Sequence, residues 1–270
     1  MRKFVRILGL SIMPVFAMAA ESAPLASNHY FQEFDNQFSI GFGGTYGSLA
    51  NAYGQSSNYG TTFIGLSVER LFDIGIWGRI DASLMTGYSN YNSTNANATT
   101  GPLGQDPGVA GLNFKLGYAF LPIQEHLLVT PYILLGRNTN LTSNSLNNNT
   151  SPAGGGTSQL NSNVTQDYFW TMGFGGRVEY RINKIFELYA DQGFLYNSDQ
   201  SQPSSSYTPA NNYQLVSTIG AKFNVWENLQ LGLQGFYSYN QLSGAVTSAQ
   251  QYQLYQQNQL GGLASVGLTY

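Results

Sequence analysis

The chain has 270 residues, no cysteine, and charged side chains at only 9% of positions, with a formal net charge of −3. Without cysteine there are no disulfides, no thiolate metal site and no lipid-modified cysteine anchor. A slightly acidic chain with no Lys/Arg cluster beyond its first residues has no electrostatic footprint for nucleic acid, so none is expected as a partner.

The first 20 residues, MRKFVRILGLSIMPVFAMAA, read as a cleaved signal peptide. Arg2, Lys3 and Arg6 form a basic head, a short apolar run follows, and Ala17-Met18-Ala19 offers a small-x-small cleavage site. The run is too short for a membrane-spanning helix and is interrupted by Pro14. Residues 21–36 read as a periplasmic N-terminal segment, and residues 37–270 as one domain.

From residue 37 onward the sequence alternates between large apolar and small or polar side chains, the period of a β-strand. QFSIGFGGTY sets Phe38, Ile40, Phe42 and Tyr46 against Gln37, Ser39, Gly41 and Gly43. TFIGLSVER and GRIDASLMTGY follow the same rule on either side of a turn near 73–75. AGLNFKLGYAFLP alternates up to its proline, whereas the faces of LLVTPYILLG are not assigned. DYFWTMGFGGRVEYRI is the clearest strand, and four more are predicted near 185–197, 212–225, 228–239 and 258–270.

The connections alternate as well. Short ones fall near 73–75, 122–126, 183–184 and 225–228, and long ones near 49–60, 91–108, 138–166, 198–211 and 240–257. Ten antiparallel strands with short turns at one end and long loops at the other describe an all-β, up-and-down transmembrane β-barrel, with eight strands as the alternative count. Short turns are then periplasmic and long loops extracellular.

The charges decide which face meets lipid. Glu69, Arg79, Asp81, Lys115, Arg177, Glu179, Arg181, Glu187, Asp191 and Lys222 all fall on the small polar face beside glycines, as in a crowded barrel interior. The apolar face carries aromatics near the strand ends: Phe72, Tyr118, Phe120, Tyr180, Phe186 and Phe223 toward the short turns, and Tyr46, Tyr88, Tyr168, Trp170 and Tyr213 toward the long loops. Tyr270 closes the last strand. Two aromatic girdles around an aliphatic band are the pattern of the two membrane interfaces. A soluble secreted barrel, with its apolar face inward, is the alternative.

TPYILLGR and GFGGRVEYRINKIFELYADQGFLY (173–196) resemble the small outer-membrane barrels of the outer-membrane-protein-A-like superfamily. The resemblance implies a bacterial outer-membrane location in a Gram-negative-type envelope. It implies inward acidic positions at Glu179 and Asp191 and inward basic ones at Arg177 and Arg181. No peptidoglycan-binding domain is expected, because the chain stops at the end of a strand. The terminal aromatic, Tyr270, is similar to the signal read by barrel-assembly machinery.

The ten interior charges are five of each sign, which suits a mutual lock better than an ion-selective ring. Ten strands about 4.8 Å apart and tilted about 40° give a backbone radius of roughly 10 Å, most of which inward side chains fill. The expected role is an envelope structural or surface-recognition barrel closed by salt bridges; the alternative is a narrow, weakly selective porin. The uncharged loops, rich in Asn, Ser and Tyr, suggest adhesion to a host or neighbour glycan through Tyr53, Tyr59, Tyr207, Tyr252 and Tyr255.

An enzyme is not expected. The two histidines, His29 and His126, lie at the short-turn end, away from the Ser- and Asp-bearing loops. No cofactor is expected either: the glycines of GFGGTYG sit within a strand with no following helix, and no metal-ligand cluster is visible.

Overall fold

The computed structural model describes residues 29–50, 56–90, 100–123, 126–143, 164–199, 212–244 and 253–270. The signal-peptide segment and Tyr53, Tyr207 and Tyr252 lie outside the described residues, as do the side chains of Tyr59, Tyr88, Tyr168, Tyr255 and His29.

A seven-residue helix, α1 (His29–Asp35), precedes eleven strands. These are β1 (Gln37–Ala50), β2 (Ser56–Leu71), β3 (Ile76–Asn90), β4 (Thr100–Tyr118), β5 (Phe120–Ile123) and β6 (Leu127–Ser143). They continue as β7 (Val164–Arg181), β8 (Phe186–Asp199), β9 (Asn212–Trp226), β10 (Leu229–Gly244) and β11 (Gln253–Thr269). Sequence neighbours pair antiparallel, β1 pairs with β11, and β4 pairs with β6 to close the sheet. Closure over Gly111–Gly117 and Tyr132–Asn138 pairs backbone groups that would otherwise form an edge, which lipid could not satisfy.

β4 and β5 are one stave interrupted at Ala119, so the closed barrel has ten. The interruption has a local cause. Pairing of β4 with β6 ends at Gly117↔Tyr132, and that of β5 resumes at Phe120↔Val129. Between them stands Pro131, which has no N–H for the ladder. The Ala119 N–H donates instead to the Gly75 carbonyl at 2.7 Å. Gly75 itself has φ 83° in the β2–β3 turn, a conformation that glycine adopts without strain. The β7–β8 turn is held by Asn183, whose Oδ1 accepts from the N–H groups of Ile185 (2.8 Å) and Phe186 (2.9 Å).

The outer surface is apolar. Ile219 is 69% exposed, Leu260 and Ile133 64%, and Leu233 57%, all from the same outward rows of the register. A continuous apolar surface around a closed sheet is far more than a soluble monomer exposes, and it matches the band that faces hydrocarbon in a transmembrane barrel. No helix among the described residues is long and apolar enough to cross a membrane.

The inner face corrects one expectation. It is not uniformly small and polar: Trp77, Tyr132, Leu134, Tyr189 and Leu195 share it with the charges. Glycines opposite make the room. A Cβ on Gly175 or Gly193 would meet the Tyr132 hydroxyl, and one on Gly220 the Tyr189 ring. β6, the strand without an assigned face, places Leu128, Thr130, Tyr132 and Leu134 inward.

Candidate functional site

The register determines the inward set. Gln37 opposes Glu69, Glu69 opposes Arg79, and Arg79 opposes Lys115. Across the barrel Arg177 opposes Asp191, Arg181 opposes Glu187, and Glu187 opposes Lys222. All ten charges singled out in the sequence therefore lie on the lumen side.

Glu69 on β2 is the hub. Its Oε1 accepts from Trp77 Nε1 at 2.9 Å and lies 3.1 Å from Arg177 Nη1. Its Oε2 accepts from Gln37 Nε2 at 3.0 Å and lies 3.4 Å from Arg79 Nη1 and 3.5 Å from Lys222 Nζ. Arg177 also donates through Nε to Glu179 Oε1 at 2.5 Å, with its Nη2 on the same oxygen. Its guanidinium lies over the Tyr189 ring at 4.5 Å and the Trp77 ring at 5.6 Å. β2 and β7 are separated by three staves one way round the barrel and five the other, so the Arg177–Glu69 pair crosses the lumen. Nearer the long loops, Lys115 Nζ donates to Asp191 Oδ2 at 3.0 Å, and Tyr132 donates to the other oxygen at 2.5 Å. Arg79 Nε donates to Asp81 Oδ1 at 2.8 Å.

The helix completes this layer. Asn36 follows α1 directly; its Oδ1 accepts from the Leu71 N–H at 2.8 Å and its carbonyl from the Tyr270 N–H at 3.0 Å. That tether inserts Phe31 and Phe34, both fully buried, into the barrel, with Phe31 against Leu71 and Trp77. Asp35 Oδ1 accepts from Lys222 Nζ at 2.5 Å, and Arg177 Nη2 lies 3.9 Å away. Gln230 Nε2 and Lys222 Nζ both donate to the Phe34 carbonyl at 3.3 Å. Arg181 pairs with Glu33 at 3.5 Å. The segment read as periplasmic is thus, from His29 on, a helix seated in the short-turn mouth.

Asp35, Glu69 and Glu179 bring carboxylate oxygens within 4.8 Å of one another, a spacing a metal ion could bridge. Lys222 Nζ already lies 2.5 Å, 3.5 Å and 3.8 Å from these three, with Arg177 beside it. The ammonium and guanidinium bring two positive charges to these three carboxylates, which leaves the set one charge short of balance.

Above the charges runs a belt of uncharged groups. Asn138 exchanges amide bonds with Asn113 (3.0 and 3.1 Å) and donates to Thr171 Oγ1 at 2.7 Å. Thr171 donates to Asn197 at 2.8 Å, Asn197 to Gln214 at 3.3 Å, and Gln214 to Ser238 at 2.8 Å. These bonds tie neighbouring staves rather than present free donors.

Of the interface aromatics, Phe72, Tyr118, Trp170, Tyr180 and Tyr270 are outward and exposed. Phe120 packs edge-on against Tyr118, and Phe186 stacks on Phe223. His126 sits beside the short turn with Nδ1 3.1 Å from the Arg181 carbonyl oxygen. Sequence reasoning missed Glu33, Asp35, Trp77, Tyr132 and Tyr189. The signal for α1 was present as Phe31 and Phe34 at helical i, i+3 spacing, followed by an acid, in the one stretch before β1 without alternation.

No family model matches the chain, and no curated protein matches it. Among solved structures it is similar to the outer membrane protease OmpT from Escherichia coli (9% identity, TM-score 0.46, covering 87% of this chain and 97% of that one). It is also similar to an outer membrane channel from Pseudomonas putida F1 (9%, 0.44, covering 86% and 96%). A third is the transport unit of the autotransporter AIDA-I from Escherichia coli (10%, 0.42, covering 93% and 100%). At such identities and TM-scores, none of these likenesses says anything about what this chain does.

Proposed function

We propose that the chain is an integral outer-membrane barrel of a Gram-negative-type envelope, serving as a closed scaffold that holds its long loops at the cell surface for structural or recognition purposes. The observation that carries this reading is the ion-pair layer across the lumen, from Arg177 on β7 and Lys222 on β9 to Glu69 on β2, beneath an apolar outer surface. A lumen spanned by buried, mutually bonded charges suits rigidity better than flow.

The partners that follow are outer-membrane lipid around the barrel and barrel-assembly machinery acting on the terminal strand that ends at Tyr270. A host or neighbour surface ligand would engage the loops. The hairpin over 173–196 supports kinship with the outer-membrane-protein-A-like superfamily, whose inward acids and bases correspond to Glu179, Asp191, Arg177 and Arg181.

The test is replacement of the long-loop segments 51–55, 144–163, 200–211 and 245–252, one at a time and together, by short Gly/Ser turns in cells expressing the protein. Surface or glycan binding should disappear while the heat-modifiable gel shift of the folded barrel remains. Binding that survives loss of each long loop in turn would overturn the recognition role.

A further inference from the structure

The wall of the short-turn mouth is balanced in charge. Glu69 (β2), Asp81 (β3), Glu179 (β7) and Glu187 (β8) face Arg79 (β3), Arg177 and Arg181 (β7) and Lys222 (β9). Lys115 (β4) and Asp191 (β8) match each other one level up. From β1 and β10 the layer receives neutral amides, Gln37 and Gln230. Tyr189 contributes a ring, and the His126 ring meets the Arg181 carbonyl and stacks on Tyr180.

Helix α1 breaks this balance, because it adds two acids, Glu33 and Asp35, and no base among its described side chains. Glu33 is 44% exposed, but Asp35 is fully buried. The excess shows in the bonding: Glu187, fully buried, has no hydrogen bond on either oxygen and shares Lys222 Nζ, 3.5 Å from its Oε1, with Asp35, Glu69 and Glu179, while Asp35 Oδ2 and Glu179 Oε2 have no hydrogen bond. An uncompensated buried carboxylate is costly, and the ordinary relief is to bind a proton.

We propose that docking of α1 into the barrel mouth takes up one proton, so that α1 seats at low pH and is released as the pH rises. The proton belongs to the Asp35–Glu179–Glu187–Lys222 group as a whole rather than to one oxygen. Burial, and next the charge of Glu179, push the Asp35 carboxyl well above its usual range. A carboxyl raised in the docked state favours docking below its free value and loses that contribution as the pH climbs through the docked value. The barrel wall closes through β4 and β6 without help from the helix, so release leaves the sheet intact.

The experiment is hydrogen exchange of the Tyr30–Asn36 amides in the refolded full-length mature protein, followed by mass spectrometry from roughly pH 5 to 9 and corrected for intrinsic exchange. A one-proton linkage predicts that protection falls about tenfold per pH unit between the free and the docked values and levels off above the docked one. Glu187→Gln, which restores the balance from the wall and leaves α1 untouched, should give strong protection with no pH slope, as should Asp35→Asn if it docks. Flat protection in the wild type, or an unchanged slope in Glu187→Gln, would overturn the proposal.

Discussion

Replacing Arg177 by Met tests whether the charged layer is dry. Arg177 is 1% exposed, and its removal leaves Glu69 and Glu179, both fully buried, without their strongest partner. In a desolvated layer, breaking one side of such a set costs about 3–5 kcal/mol, because the remaining charge stays buried and unpaired. In a water-filled lumen the same pairs would be worth no more than about 1 kcal/mol. With a urea slope near the upper end of about 1–3 kcal/mol per molar, the dry case shifts the unfolding midpoint by about 1–2 M. The assay is urea unfolding of the barrel refolded in detergent, scored by the heat-modifiable band. Arg177→Met combined with Glu179→Gln should recover at least about 1 kcal/mol of the loss, since contacting charges couple. A midpoint shift below about 0.3 M, with no recovery in the double variant, would refute a sealed layer and indicate solvated charges.

The glycine positions give a paired prediction. Gly220→Ala drives a methyl into the Tyr189 ring, which is held by Arg177 and by a 2.9 Å bond to Gln234, and should cost about 1–3 kcal/mol in the same urea assay. Gly65→Ala, with nothing within 4 Å, should cost less than about 0.5 kcal/mol. On the lipid side, Ile219→Arg at the middle of β9 should lose about 2–4 kcal/mol in refolding into lipid vesicles. Phe34→Ala removes a fully buried anchor of α1 and should raise exchange of the Tyr30–Asn36 amides while leaving the heat-modifiable shift unchanged.

Strand number, register parity and the inward charges could be read from the sequence because the period of two is strict and one face must be apolar. β7 illustrates this: Trp170, Met172, Phe174, Val178 and Tyr180 alternate with Thr171, Gly173, Gly175, Arg177 and Glu179 through one unbroken strand. Two things were hidden. β6 could not be assigned because both of its faces are apolar; Tyr132 fills space left by Gly175 on β7 and Gly193 on β8, a complementarity between distant positions that no local pattern encodes. Nor could the charge balance be completed. The strands bring five inward charges of each sign, but a further acid arrives from α1, whose placement depends on a contact 187 residues away, Asp35 with Lys222. A short helix has little intrinsic stability of its own, so its position is set by tertiary packing rather than by propensity.

The central claim is that the lumen is closed. Its most direct test is single-channel conductance of the refolded mature protein in a planar bilayer, with folding confirmed by the heat-modifiable shift. The account predicts a silent bilayer for the wild type near neutral pH, because the Arg177–Glu69 pair crosses the lumen whether or not α1 is seated. Discrete conductance steps whose size changes in Arg177→Met or Lys115→Met would contradict it and make this barrel a narrow pore.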